Sequence, residues 1–193
     1  MMRLWTCVIA CLIAAPAMAQ DMLPPDASRL WIVAGGAPGT IRGHCQDCAV
    51  EFPFRHGPAI VGNVGYRVGP RLDVGGDVFW MKWNNDSGQI RATAIEAVAQ
   101  FRPWGSKGFF VKGGAGMALV RNFVKTIGPN PDDSKALAVM FGGGWEFNPK
   151  GPLGLQLFAT QYVGALGDLQ TTNGPVADIT GNFWAVGAAI VIR

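Results

Sequence analysis

The chain has 193 residues, of which 49% are hydrophobic, only 15% are charged and 27 are glycine, with a formal net charge of +3. That length fits one domain, or one domain plus an export signal, and so little charge is unlike a typical soluble surface. The basic excess is slight and unclustered, and there is no RNA-binding signature, which excludes a nucleic-acid partner.

Residues Met1 to Ala19 carry Arg3, an apolar run from Leu4 to Ala15, and then Ala17-Met18-Ala19. This order predicts a secretory signal peptide cleaved after Ala19. The run is too short for the ~20 residues of a spanning helix, and it continues past Cys11, which argues against a lipoprotein signal. No later segment is apolar for long enough to span as a helix. Cleavage would remove Arg3 and two of the four cysteines, leaving a charge of about +2 and the pair Cys45 and Cys48. In an oxidising compartment a disulfide is the expected state of that pair.

Gln20 to Ala27, with Pro24-Pro25, reads as a short periplasmic leader, and residues 28–193 as the barrel domain. The first strand, Ser28 to Ala37, is apolar on both faces, so its pattern does not orient it. Pro38 to Gly57 is expected to be a long loop. The second strand is Pro58 to Val68, with Asn63, Gly65 and Arg67 on one face. The turn Gly69-Pro70-Arg71 follows. The third, Leu72 to Trp83, sets Leu72, Val74, Val78 and Trp80 against Asp73, Asp77, Phe79 and Met81, and Asn84 to Gly88 forms a polar loop. The fourth, Gln89 to Pro103, carries Glu96, Gln100 and Arg102 on one face, before a turn at Trp104 to Gly108.

The fifth strand, Phe109 to Arg121, places Lys112 with Phe110 and two glycines, and a second long loop is expected from Asn122 to Ser134. The sixth, Ala136 to Phe147, is the most informative. Leu137, Val139, Phe141, Trp145 and Phe147 alternate with Ala136, Ala138, Met140, Gly142, Gly144 and Glu146, a period of two. Asn148 to Gly151 is a short turn. The seventh strand is Leu153 to Val163, followed by a third long loop, Leu166 to Thr180. The eighth is Asn182 to Arg193. Eight strands, each long enough to cross a membrane at a tilt, predict an all-β, eight-stranded, antiparallel up-and-down transmembrane β-barrel. The even count puts both ends of the barrel on the periplasmic side.

The charge-bearing face decides which way the barrel is turned. Arg67, Asp73, Asp77, Glu96, Arg102, Lys112, Glu146 and Arg193 all fall opposite the bulky apolar stripe. Four cations and four anions can pair inside a narrow barrel, whereas a midplane Arg or Lys on the lipid side costs roughly 2–4 kcal/mol. A soluble lipocalin-like carrier would need that charged face as its apolar cavity. Aromatic residues sort by height as well: Tyr66, Phe101, Phe109, Trp145 and Phe147 toward one rim, Trp80 and Trp184 toward the other, as interfacial rings do.

The stretches FFVKGGAGMALVR and GGGWEFNPKGPLGLQLFATQYVGAL resemble the last strands of the OmpA/OmpX-like family of outer-membrane β-barrels, and the likeness extends over about Ser28 to Arg193. The resemblance implies an outer-membrane location in a Gram-negative envelope and delivery by the barrel-assembly machinery. The family spans adhesion, complement-resistance and integrity proteins, so membership selects no single role. Such barrels usually end in Phe or Trp, whereas this chain ends Ile192-Arg193.

Three further features bear on chemistry. His44, Cys45, Cys48 and His56 could ligate zinc or copper, but a lone CxxC signals this weakly, and a small loop disulfide is the favoured reading. A lipid A-modifying enzyme, the main rival function, needs a nucleophile, a histidine base and an orienting acid within reach. Both histidines lie in one expected loop, with Ser87 and Ser134 in others. Lys82, Arg91 and Arg121 sit on outward positions at the outer strand ends, candidates for lipopolysaccharide phosphates, although snorkelling alone explains such residues equally well. Eight strands leave a lumen filled by side chains, which disfavours a porin. The expected function is therefore a non-catalytic outer-membrane barrel with plugged lumen, no cofactor and no metal, in contact with outer-membrane lipids and acting in envelope integrity or through its loops.

Overall fold

A computed structural model describes residues 30–45, 54–85, 88–104, 108–124, 132–171 and 174–193. The expected signal peptide, the leader and Cys48 lie outside the described residues. The strands are β1 (Leu30–Cys45), β2 (Arg55–Arg67), β3 (Leu72–Asn85), β4 (Gly88–Phe101), β5 (Phe109–Val124), β6 (Asp132–Phe147), β7 (Leu153–Thr171) and β8 (Gly174–Ile192). Each pairs antiparallel with its neighbours in sequence, and β1 pairs with β8 to close the barrel. Closure leaves no lateral edge along the paired wall.

Two of the three turns expected at one end are described, and residues 105–107 of the third lie outside the described residues. Val68 N donates to Leu72 O at 3.0 Å, and Arg102 N donates to Arg71 O at 2.7 Å. Asn148 adopts φ 58°, the left-handed conformation that Asn tolerates, and its Nδ2 donates to Leu153 O at 2.8 Å.

The opposite end differs from expectation. Much of Pro38–Gly57, Asn122–Ser134 and Leu166–Thr180, read as long loops, is strand: β1 runs to Cys45, β5 to Val124, β6 starts at Asp132, and β7 reaches Thr171. Proline and glycine misled the reading. Pro38 and Pro58 face each other across the β1–β2 ladder, so the missing donors are pooled at one place instead of ending a strand. On the other side of β1, the register to β8 skips from Gly36↔Ala188 to Gly39↔Ala185. In the β7–β8 arm, register shifts between Ala165 and Gly167 and between Gly167 and Leu169 absorb the irregular sequence as bulges.

Period-two alternation assigns the faces. Trp31, Val33, Ala37 and Ile41 point inward from β1, which orients the strand whose pattern was ambiguous. The two faces of the wall differ sharply. Ile95 is 61% and Leu137 81% exposed on the outside, while Phe79, Phe110, Tyr162, Asp73 and Asp77 are fully buried in the lumen. Between the ends, outward positions among the described residues carry no charged side chain. Trp104 stacks at 4.9 Å on Phe109 at the turn end, and Phe101, Trp145 and Phe147 are exposed beside it. Glycine at 65 is a packing requirement: a Cβ there would lie 2.6 Å from Cζ2 of Trp31, so the indole fills the space a side chain would take.

Candidate functional site

The inward face of the strands builds two ionic clusters. Near the turn end, Arg67 Nε donates to Asp73 Oδ1 at 3.1 Å. Arg102, in the turn after β4, bonds Asp73 through Nη1 and Glu146 Oε2 through Nη2 at 2.9 Å. Arg193 reaches Glu146 through Nη2 and the carbonyl of Gly151 through Nη1 at 3.3 Å. The result is a chain of alternating charges, Arg67–Asp73–Arg102–Glu146–Arg193, joining strands that are not all neighbours in the wall. Alternation of sign is what makes so many buried ions tolerable, because each charge faces an opposite one.

At mid-height Asp77 is the hub. It accepts from Lys112 Nζ at 3.0 Å, from the Tyr162 hydroxyl at 2.9 Å and from Asn63 Nδ2. The Lys112 ammonium also lies 5.9 Å from the Phe158 ring centroid, within cation–π range. Tyr162 packs on Phe79 with ring centroids 4.6 Å apart, and Phe79 on Phe183 at 6.2 Å. Glu96 pairs in register with Asp77 and is buried. Its two carboxylate oxygens have no hydrogen-bond partner among the described residues, and neither have Gln100 Oε1, Thr160 Oγ1 and Trp31 Nε1. Buried polar atoms of this kind are ordinarily satisfied by internal water.

All eight charged residues expected on one face thus point inward. Seven of them form the two clusters, and Glu96 stands beside the second. The sequence places Asn63 on the same face as Arg67 but assigns it no part in the ionic network; its inward parity, together with a hydrogen-bonding side chain, was the available signal.

At the loop end the outward face carries a row of cations. Lys82 on β3 is the register partner of Arg91 on β4, and Arg91 is the register partner of Arg121 on β5. Gln89, oriented so that its amide oxygen faces both, accepts from Arg91 Nε at 3.0 Å and from Lys82 Nζ at 3.2 Å. Lys135 on β6 is exposed and pairs in register with Leu119, two residues from Arg121. It extends the row, which alternation within a single strand does not reveal, because adjacency across strands depends on register. Nearby, Arg55 lies over the Trp83 ring at 4.4 Å and Arg42 over Phe54 at 4.9 Å.

The histidines do not meet. His56 Nδ1 lies 3.0 Å from Thr40 Oγ1, and His44 is four residues further along β1, about 13 Å at the rise of a strand. Among the described residues no group of three or more His, Cys, Asp or Glu is placed to hold a metal ion. Ser87 and Cys48 lie outside the described residues, and Ser134 is a backbone position on β6 opposite Val120.

No family model matches the chain, and no curated protein matches it. Solved structures do. Neisserial surface protein A is 16% identical, with a TM-score of 0.56 over 85% of this chain and 96% of its own. Ail, the attachment invasion locus protein of Yersinia pestis, is 14% identical, with a TM-score of 0.56 over 86% of this chain and 99% of its own. The outer membrane protein OprG of Pseudomonas aeruginosa is 10% identical, with a TM-score of 0.50 over 86% and 98%. At such identities the likeness is one of fold: a small, closed outer-membrane barrel.

Proposed function

We propose that this protein is a non-catalytic outer-membrane β-barrel of a Gram-negative envelope, exported by a cleaved signal peptide and delivered by the barrel-assembly machinery. Its turns face the periplasm and its cation-bearing rim faces outward. Its lumen is packed and ionic instead of conducting, and it serves envelope integrity or contacts made at the outer rim, where Lys82, Arg91 and Arg121 meet lipopolysaccharide.

The observation carrying this reading is the inverted burial. Large apolar side chains such as Ile95, Leu137 and Phe141 are more than half exposed on the wall, whereas Asp73, Asp77 and Glu146 are almost wholly buried inside. In water that arrangement would expose a continuous apolar band far larger than soluble monomers show. In lipid the band is solvated, and the charges remain paired with one another. The test is fractionation followed by a gel with and without boiling. The folded protein is expected in the outer-membrane fraction, migrating faster unboiled than boiled. A mature chain that stays monodisperse in buffer without any amphiphile would overturn the reading.

Cys45 and Cys48 we read as a disulfide stiffening the segment between β1 and β2. The separation of His44 from His56 along the β1–β2 ladder speaks against a shared metal site. Thiol labelling is expected to find both cysteines blocked before reduction and reactive after it. Free thiols with one equivalent of bound zinc would reverse that assignment. The rival reading, a lipid A-modifying enzyme, predicts altered lipid A masses in cells that express the protein; unchanged masses are expected.

A further inference from the structure

The turn end of the lumen has more cations than anions and buried donors left over. Among the described residues, Arg67, Arg102 and Arg193 face only Asp73 and Glu146 there, a side-chain excess of one positive charge. Trp31 Nε1, Arg102 Nε and Arg193 Nε are all N–H donors, and none has an acceptor among the described residues. All three side chains are more than nine-tenths buried. Glu96 has no hydrogen-bond partner of its own, but it lies six residues from Arg102, about 20 Å along an extended chain. It is out of reach of this cluster.

The three donors share one layer. Arg102 and Arg193 each hold one oxygen of Glu146, which sets their guanidiniums side by side. Trp31 precedes Ile32, the register partner of Ile192, so its strand position is next to that of Arg193. Its indole lies over Gly65, where a Cβ would stand 2.7 Å from Cε2, the ring atom bonded to Nε1. Gly65 is two residues from Arg67 on the same face. Along the register row of Trp31, positions 65, 75 and 114 are all glycine. From β1 to β5, only the indole and Val98 fill this layer.

We propose that this end of the lumen binds one small monovalent anion of the halide class, held by Trp31 Nε1–H and the Nε–H groups of Arg102 and Arg193. A buried water would serve the donors but leave the charge uncompensated, and an unpaired buried charge is costly. A halide does both: it accepts from several directions, and its single charge matches the excess. Its hydrogen bonds from guanidinium are charge-assisted and strong. Gln100, the register partner of Asp73, has an unpaired amide oxygen; turned about, its NH2 becomes a fourth donor. The anion thus closes a floor built with three arginines and two carboxylates. The inference concerns the lumen alone and does not rest on the outer-membrane reading, so either can fail without the other.

The test uses the full barrel in non-ionic detergent. Crystals grown in sodium bromide are expected to show one anomalous peak beside Trp31 Nε1, Arg102 Nε and Arg193 Nε. In thermal unfolding at constant ionic strength, replacing gluconate by chloride is expected to raise the midpoint, as a ligand of the folded state does. Trp31→Phe, which keeps an aromatic ring and removes the donor, is expected to need about tenfold more chloride for the same rise, the effect of one hydrogen bond to a charged group. Arg193→Lys, which keeps the charge and removes Nε, is expected to do likewise, while Arg42→Gln on the outer face changes nothing. A general salt effect would persist unchanged in Trp31→Phe and would overturn the proposal. So would a midpoint indifferent to chloride, a water at the site in bromide, or the main-chain carboxylate of Arg193 occupying it. A heat-modifiable band certifies each variant as folded; should neither fold, the bromide map of the parent protein decides.

Discussion

Changing Asp77 to leucine is expected to cost the barrel about 3–5 kcal/mol of unfolding free energy, the loss typical when one partner of a buried ion pair is removed. Asp77 is the acceptor for three donors at once: Lys112, Tyr162 and Asn63. The Lys112 side chain is only 3% exposed, so the substitution leaves an ammonium with no described ion-pair partner and strands a hydroxyl and an amide beside it. Urea unfolding in lipid vesicles, followed by tryptophan fluorescence, would measure the loss. Adding Lys112→Met together with Glu96→Gln, the buried carboxylate opposite Asp77, should restore much of it, because removing all three charges removes the penalty. If the single variant were as stable as the parent, the central cluster would hold nothing together.

The complementary expectation concerns the outer wall. Ile95, 61% exposed on β4, lies between Ala97 and Thr93 in the charge-free band. Ile95→Arg is expected to destabilise the barrel in lipid by about 2–4 kcal/mol if the site is near the bilayer midplane. On a soluble barrel the same change of an exposed side chain would be nearly neutral. The same unfolding assay decides it, and a neutral result would remove the hydrocarbon environment from the account. Taken with the Asp77 variant, it tests the two faces of one wall independently.

The faces were legible in the sequence because a strand's two sides alternate residue by residue, and in β6 the contrast between Leu137, Val139, Phe141 and Ala136, Ala138, Glu146 leaves no second choice. The turns at Gly69 and Asn148 were legible too, since each carries the residues its backbone demands. What lay beyond the pattern has physical causes. Strand β1 is apolar on both sides, so only pairing with β2 and β8 could say that Trp31 and Val33 turn inward. Pro38 and Pro58 read as loop because each alone would end a strand; their cancellation is visible only once they face each other. Register likewise joined Lys82, Arg91 and Arg121 into a line, brought Lys135 and Gln89 beside it, and set Glu96 next to Asp77. Cross-strand neighbours are contacts between distant parts of the chain, and alternation within one strand carries no information about them.

The wall's connectivity also has a consequence for the order in which it can form. Seven of its eight ladders join consecutive strands, whose hairpins need only short loops to close. The eighth joins β1 to β8 from Ile32↔Ile192 to Cys45↔Ile179, partners separated by nearly the whole domain. The contacts of longest sequence separation are therefore made in one late zippering event, along the ladder that misses a stitch beside Pro38. Sheet growth by neighbouring hairpins should be quick. Its rate-limiting step should be that final seam, and substitutions there should slow folding more than equal losses of stability elsewhere.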